Sequence, residues 1–219
     1  MLFKKLKING ITLKNRIVVS PMCQYSAKNG CPSEWHYDHL SKLINCGASM
    51  LMMESTSVDK IGKISHKDLC LSNSFQEKKF KKLINFLKNI NDIPIGLQIS
   101  HSGRKGSSFV PWKKSNEPLK KRDKSWQTFS ASAIKRDRHW PTPKELKKND
   151  LLNLVKKFKS TAIRAKRIGF DCLEIHMAHG YLLHQFLSPI SNKRNDEYGL
   201  NKFSFPLNIV KEIRKVWPK

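Results

Sequence analysis

The sequence predicts an α/β fold of the TIM (β/α)8-barrel type, truncated to about the first four βα units behind an N-terminal β-hairpin. Three observations carry this prediction. Short apolar runs alternate with segments of helical periodicity, which argues for a parallel sheet with helices on its faces. Each apolar run ends in polar, chemically useful residues: Ser20 and Cys23, Glu54 and Ser55, Gln98 and His101, His176 and His179. A barrel places such residues at the C-terminal ends of its strands. A doubly wound dinucleotide fold needs a Gly-rich turn after strand one. The sequence there is S-P-M-C-Q-Y.

Residues 6–17 read as the hairpin, because Asn9-Gly10 is a favoured pair for a two-residue type I′ turn. Ile17-Val18-Val19 is fully apolar and is expected to be a strand buried on both faces. A helix over 34–45 follows, with Gly47 past its end in the position of a left-handed cap. Residues 50–54 form the second strand, and Ser72-Asn73-Ser74 can cap the next helix. In that helix Phe80, Leu83, Ile84 and Leu87 share one face. Residues 94–100 are the third strand. Residues 102–146 form a long polar excursion, and loops of that length are usually either functional or disordered. Asp150 is expected to cap a helix to Arg167, ended by Gly169. Residues 170–175 are the fourth strand, ending at His176, and 205–216 the last helix.

A length of 219 residues suits one domain, 1–219. No apolar stretch is long enough for a membrane span, and no long apolar run follows the first charges as in a secretory signal. Five cysteines, an odd number with no C-x-x-C pair, argue against a disulfide framework and fit a reducing compartment. The expected location is cytoplasmic. The net charge of +25 raises nucleic acid as a partner class. The lysines are spread along the whole chain, and no aromatic-interleaved or zinc-finger motif accompanies them. The charge is therefore read as a drift in composition, with neither nucleic acid nor membrane as the expected partner.

Three segments carry a resemblance. N-R-I-V-V-S-P-M-C-Q-Y (15–25), G-L-Q-I-S-H-S-G-R-K (96–105) and E-I-H-M-A-H-G-Y-L-L-H-Q-F-L-S-P-I-S-N-K-R-N-D-E-Y-G (174–199) resemble the Old Yellow Enzyme family. The Cys-x-Tyr after Ser-Pro-Met is similar to its thermophilic-type ene-reductase and xenobiotic reductase branch. The resemblance implies FMN as cofactor and NAD(P)H as co-substrate. It implies hydride transfer through the flavin to the activated C=C bond of an enal- or enone-like acceptor.

Carried onto this sequence, the resemblance puts Ser20, Pro21 and Met22 under the flavin ring, with Cys23 tuning its potential. It places Ser55 near the flavin and Gln98 at the pyrimidine edge, where an amide offers both a donor and an acceptor. Tyr25 would line the substrate pocket, and Tyr181 would give a proton to the α-carbon. His176 and His179 would clamp the acceptor carbonyl with two N–H donors. Their H-x-x-H spacing could also be half of a metal site, but no third ligand lies at suitable spacing, so no metal is expected. Arg104 and Lys105 either favour an anionic group or support the 102–146 segment, which resembles the family's active-site cover. His184 is expected to be structural.

Two departures matter. The segment 199–205 is shorter than in relatives, with Lys202 and Ser204 where arginines are usual. The sequence also carries only about four of the eight βα units. The resemblance assigns a flavin-ring arginine to strand five and the phosphate cradle to the loops after strands seven and eight. The expected alternatives are a second chain supplying strands five to eight, a homo-oligomer, or a non-catalytic fragment.

Overall fold

The computed structural model describes residues 1–217. Strands β1 (Leu6–Ile8) and β2 (Ile11–Leu13) pair antiparallel. Asn9 and Gly10 between them both take positive φ, 42° and 84°, as the type I′ turn requires. The main sheet contains β3 (Val18–Val19), β4 (Met50–Ser57), β5 (Ile95–Ser100) and β8 (Cys172–Ile175). Their order is β3-β4-β5-β8, all parallel. Each is followed by helix: α1 (Glu34–Ile44), α2 (Ser74–Ile90), α3 (Lys148–Ile168), and finally α4 (Leu182–Leu187), α5 (Glu197–Leu200) and α6 (Ser204–Arg214). Within the 102–146 segment, β6 (Phe129–Ser130) and β7 (Lys144–Glu145) form a small separate ladder.

The period-2 alternation of the strands divides the side chains between two faces. Leu51, Met53, Leu97 and Ile99 point outward into a core shared with Phe80, Leu83, Phe158 and Ile209 of the helices. Phe80 and Phe158 are fully buried, and each such ring contributes about 1.5–3 kcal/mol by leaving water. On the opposite face Met50 and Met52 pack with Leu13 of the hairpin, which plugs the N-terminal end of the strands. The Met52 thioether crosses Gly96, where a Cβ would lie 2.2 Å from the sulfur and would push that side chain aside.

Two expectations need correction. Val18 is 41% exposed rather than buried on both faces, because β3 is an edge strand whose inner side meets no further strand among the described residues. Asp150 is not the N-cap residue of α3. That position falls three residues earlier, at Lys147, and Asp150 closes the cap from the third helical position by accepting the Lys147 N–H at 2.9 Å. By contrast, Asn73 caps α2 as its sequence predicts, accepting from Gln76 N–H at 2.9 Å. Among the described residues no helix is long and apolar enough to cross a membrane.

Candidate active site

The site lies at the C-terminal ends of the strands, opposite the hairpin. Residues 20–25 leave β3 there and are held by a buried carboxylate. Glu54 accepts the Gln24 N–H at 2.9 Å, and its other oxygen lies 3.1 Å from His36 Nε2. His36 Nδ1 accepts the Ser33 N–H at 3.0 Å, so Nε2 carries the hydrogen that Glu54 accepts. Ser20 and Met22 are exposed, and Pro21 and Cys23 are half-buried. Burial pushes the Cys23 thiol up, and the carboxylates of Asp68 and Glu54 add to the rise. The sulfur therefore keeps its hydrogen and can act as a weak donor.

Gln98 points to the inner face. Its Nε2 donates to Glu174 Oε1 at 2.7 Å on the neighbouring strand, and its Oε1 has no protein partner among the described residues. One half of the amide is thus fixed and the other is open. Ser55 sits inside β4 at a break in the β4–β5 register, and its hydroxyl is 2.5 Å from Ser100 Oγ. That hydroxyl is committed to the protein.

His176 continues the β8 ladder, donating its N–H to Ile99 at 3.0 Å. Its Nδ1 accepts the Ala178 N–H at 3.2 Å, which leaves the hydrogen on Nε2. His179 Nδ1 lies 3.4 Å from that Nε2. Two ring nitrogens at this spacing can each reach one shared oxygen. Burial, with lesser contributions from His179 and Lys105, drives His176 down to about 4, so it is neutral at pH 7. Tyr181 packs edge-on to His176, with ring centroids 4.8 Å apart. Burial, followed by Cys23 and Asp68, pushes the Tyr181 phenol up to about 12, while Arg136 pulls it down. The phenol is protonated at neutral pH. Lys105 Nζ lies 5.1 Å above the same ring and donates to the His179 carbonyl at 2.7 Å.

Tyr25 and Tyr181 face a cavity of about 200 Å³ completed by Lys105, Phe109 and Arg136. The 102–146 segment therefore roofs the site. Trp112 from this segment packs edge-on to Tyr25, with centroids 5.7 Å apart. Tyr25 and His179 adopt left-handed φ of 47° and 55°. Bulky residues rarely do so, and such strain tends to concentrate where function needs it. The structure thus brings Cys23, Tyr25, His176, His179 and Tyr181 to one end of the sheet. His184 has a structural contact, its Nδ1 accepting the Gly180 N–H at 2.7 Å. Arg104 donates to the carbonyls of Ile134 and Lys135, a support for the roof.

Several participants escape a reading of the sequence. Arg136 lies in a run of polar residues where nothing separates it from Lys135 or Arg138. Glu174 belongs to an apolar-looking strand, and its partner Gln98 is far away in sequence. Arg194 donates to the carbonyls of Ala131 at 2.9 Å and Leu146 at 2.7 Å, and pairs with Asp196. It ties the roof to the loop after α4. In the altered 199–205 segment Phe205 is buried, and Asn201 Oδ1 accepts the Phe203 N–H at 3.1 Å. This segment keeps order by local caps, with no arginine.

Residues 1–217 match the family described as the NADH:flavin oxidoreductase / NADH oxidase family. The chain belongs to this family. It is 41% identical over 214 residues to "NADH:flavin oxidoreductase FG08077" of Gibberella zeae, covering 96% of this chain and 51% of that protein. It is 39% identical to an NADPH dehydrogenase of Listeria monocytogenes, covering 99% of this chain and 60% of that one. In fold it is similar to morphinone reductase, with a TM-score of 0.84 at 23% identity over 99% of this chain and 59% of that one. The Old Yellow Enzyme homologue of Zymomonas mobilis gives 0.82 at 20% identity, over 98% and 60% of the two chains. This Old Yellow Enzyme-type chain thus spans about half to three-fifths of the relatives it matches. The shared part is the hairpin and the parallel βα units that carry the site.

Proposed function

We propose that this chain is the substrate-facing part of an FMN- and NAD(P)H-linked ene-reductase. The observation that supports it most is the His176–His179–Tyr181 cluster under the roof. There, two ring nitrogens 3.4 Å apart lie beside a protonated phenol. His176 and His179 hold the carbonyl oxygen of an enal- or enone-like acceptor. Holding the oxygen draws electron density from the β-carbon and readies it for hydride. Bound flavin would supply that hydride, taken from NAD(P)H. Tyr181 O–H gives the α-carbon its proton, and the Arg136 cation favours the phenolate left behind. Tyr25 and Phe109, both half-buried, form the apolar wall of the cavity beside Tyr181.

The residues present fit the flavin ring and not its phosphate. Gln98 offers the free acceptor of an amide already fixed by Glu174, and Cys23 offers an S–H. Ser20, Pro21 and Met22 form the adjoining rim, and Ser55 contributes through its backbone beside the Cys23 sulfur. A phosphate cradle and the remaining strands come from outside these residues. A second chain, a second copy or a longer polypeptide are the possible sources. The exposed Val18 and Glu174 sides of the two edge strands favour completion over a free-standing fragment.

The experiment is NADPH-dependent reduction of 2-cyclohexenone by the chain loaded with FMN, alone and with a co-expressed C-terminal half of the Listeria relative. Turnover in either form, lost in Tyr181→Phe, supports the proposal. Flavin-loaded protein with no enone turnover in either form would remove it.

A further inference from the structure

Beside the roof lies a second, larger concavity of about 750 Å³. Lys60, Lys63, Arg122 and Lys124 line it, and none of the four has an ion-pair partner among the described residues. The single carboxylate in the concavity, Asp123, is turned back to accept the Lys120 N–H at 3.2 Å. Four cations facing one hollow repel one another unless an anion lies among them. An arginine fork with lysines around it suits phosphate oxygens.

This hollow is not isolated. A neighbouring trough of about 550 Å³, lined by Tyr25, Phe109, Val110, Trp112 and Leu119, shares His66 and Asp123 with it. The same trough shares Tyr25, Ser108 and Phe109 with the cavity at Tyr181. The basic hollow, the aromatic trough and the cavity at Tyr181 are therefore neighbours along one side of the roof.

Resting on the reading above, we propose that the hollow holds the phosphate-bearing adenosine end of the nicotinamide dinucleotide, with the trough carrying the linker toward the site. Lys63 and Arg122 contact phosphate, and Lys60 and Lys124 supply the surrounding field. The number of cations favours the extra phosphate of NADPH over NADH.

The test is calorimetric titration of the full chain with adenosine 2′,5′-bisphosphate, with inorganic phosphate as comparator. This needs neither flavin nor turnover, so it succeeds or fails independently of the catalytic reading. The bisphosphate is expected to bind more tightly than inorganic phosphate. Lys63→Gln/Arg122→Gln is expected to weaken it at least tenfold. Lys5→Gln/Lys7→Gln, the same charge change on the hairpin, is expected to leave it unaltered. Both pairs contain only solvent-facing or half-buried side chains, and circular dichroism checks folding. Bisphosphate binding no tighter than inorganic phosphate, or an equal loss in both double variants, would overturn the proposal. Intact, Lys63- and Arg122-dependent binding in a chain without enone turnover would keep this site and sink the catalytic reading alone.

Discussion

Gln98 and Glu174 sit opposite one another in the β5–β8 register, and the Gln98 amide donates to the Glu174 carboxylate at 2.7 Å. The contact decides which end of the amide is free. With the NH2 group spent on Glu174, the carbonyl oxygen faces the open side of the sheet and can accept from a flavin N–H. Glu174→Gln removes the charged acceptor that fixes this orientation. FMN affinity, measured by quenching of flavin fluorescence, is expected to fall about 5- to 20-fold, as loss of a charge-assisted hydrogen bond would give. Gln98→Leu should cost at least as much. Unaltered affinity in both variants would exclude the pair from the flavin edge.

Tyr181 is protonated well above neutral pH, because burial pushes its phenol up to about 12. Tyr181→Phe keeps the ring against His176 and removes the proton. Enone reduction should drop about 10²- to 10⁴-fold, the usual contribution of a positioned acid. Binding of a phenolic ligand should change little. The rate in the parent protein should show no loss up to pH 10. A loss centred near pH 8 would point to another acid.

Arg194 holds the roof through two carbonyls and two carboxylates with a side chain only 5% exposed. Arg194→Ala leaves the Ala131 and Leu146 carbonyls without their donor, while the two carboxylates stay in reach of water, and is expected to cost about 1–3 kcal/mol, the usual cost of an unsatisfied buried acceptor. Arg194→Lys should recover only part, since lysine lacks the planar fork. Urea unfolding gives the cost, and proteolysis within 131–146 reports whether the roof loosens. Equal stability of Arg194→Ala and the parent would contradict this role.

Three buried groups set the acid response. Burial lowers His101 and His176 from 6.5 to about 4. Each contributes stability that is complete above about pH 6.5 and is lost as pH falls toward 4. Burial raises Asp68 from 3.8 to about 6, against the pull of Ser65 and Ile64 N–H donors. Its contribution runs the other way, complete below about 3.8 and lost as pH rises through 6. Two groups oppose one, so stability should rise between pH 4 and 6. Urea midpoints at pH 4.5 and 6.5 test this, and a flat or falling profile would contradict it.

Much of this was legible in the residues. The hairpin turn, the four apolar strand runs and the Phe80–Leu87 face follow from local periodicity, which the chain obeys. The clustering of His176, His179 and Tyr181 was legible because a short motif carries all three. The edge exposure of Val18 was not, since its apolar run looks the same whether or not another strand covers it. Nor were the contacts made across the sheet. Glu54 with His36, Gln98 with Glu174 and Arg194 with Ala131 join segments far apart in sequence, so no local pattern encodes them. The roof is the extreme case: its polar stretch reads as loop, yet it buries Trp140 and places Arg136 over that ring at 4.2 Å.

The central claim is that His176 and His179 jointly hold the oxygen of an acceptor beside bound flavin. The direct measurement is the visible spectrum of the chain loaded with FMN, freed of excess, and titrated with 4-hydroxybenzaldehyde, in the parent and in His176→Ala/His179→Ala. The account predicts a flavin band that travels with the protein and is perturbed by the phenol, with the perturbation weakened at least tenfold in affinity in the double variant. A flavin band that elutes apart from the protein, or the same titration curve in both proteins, would contradict it.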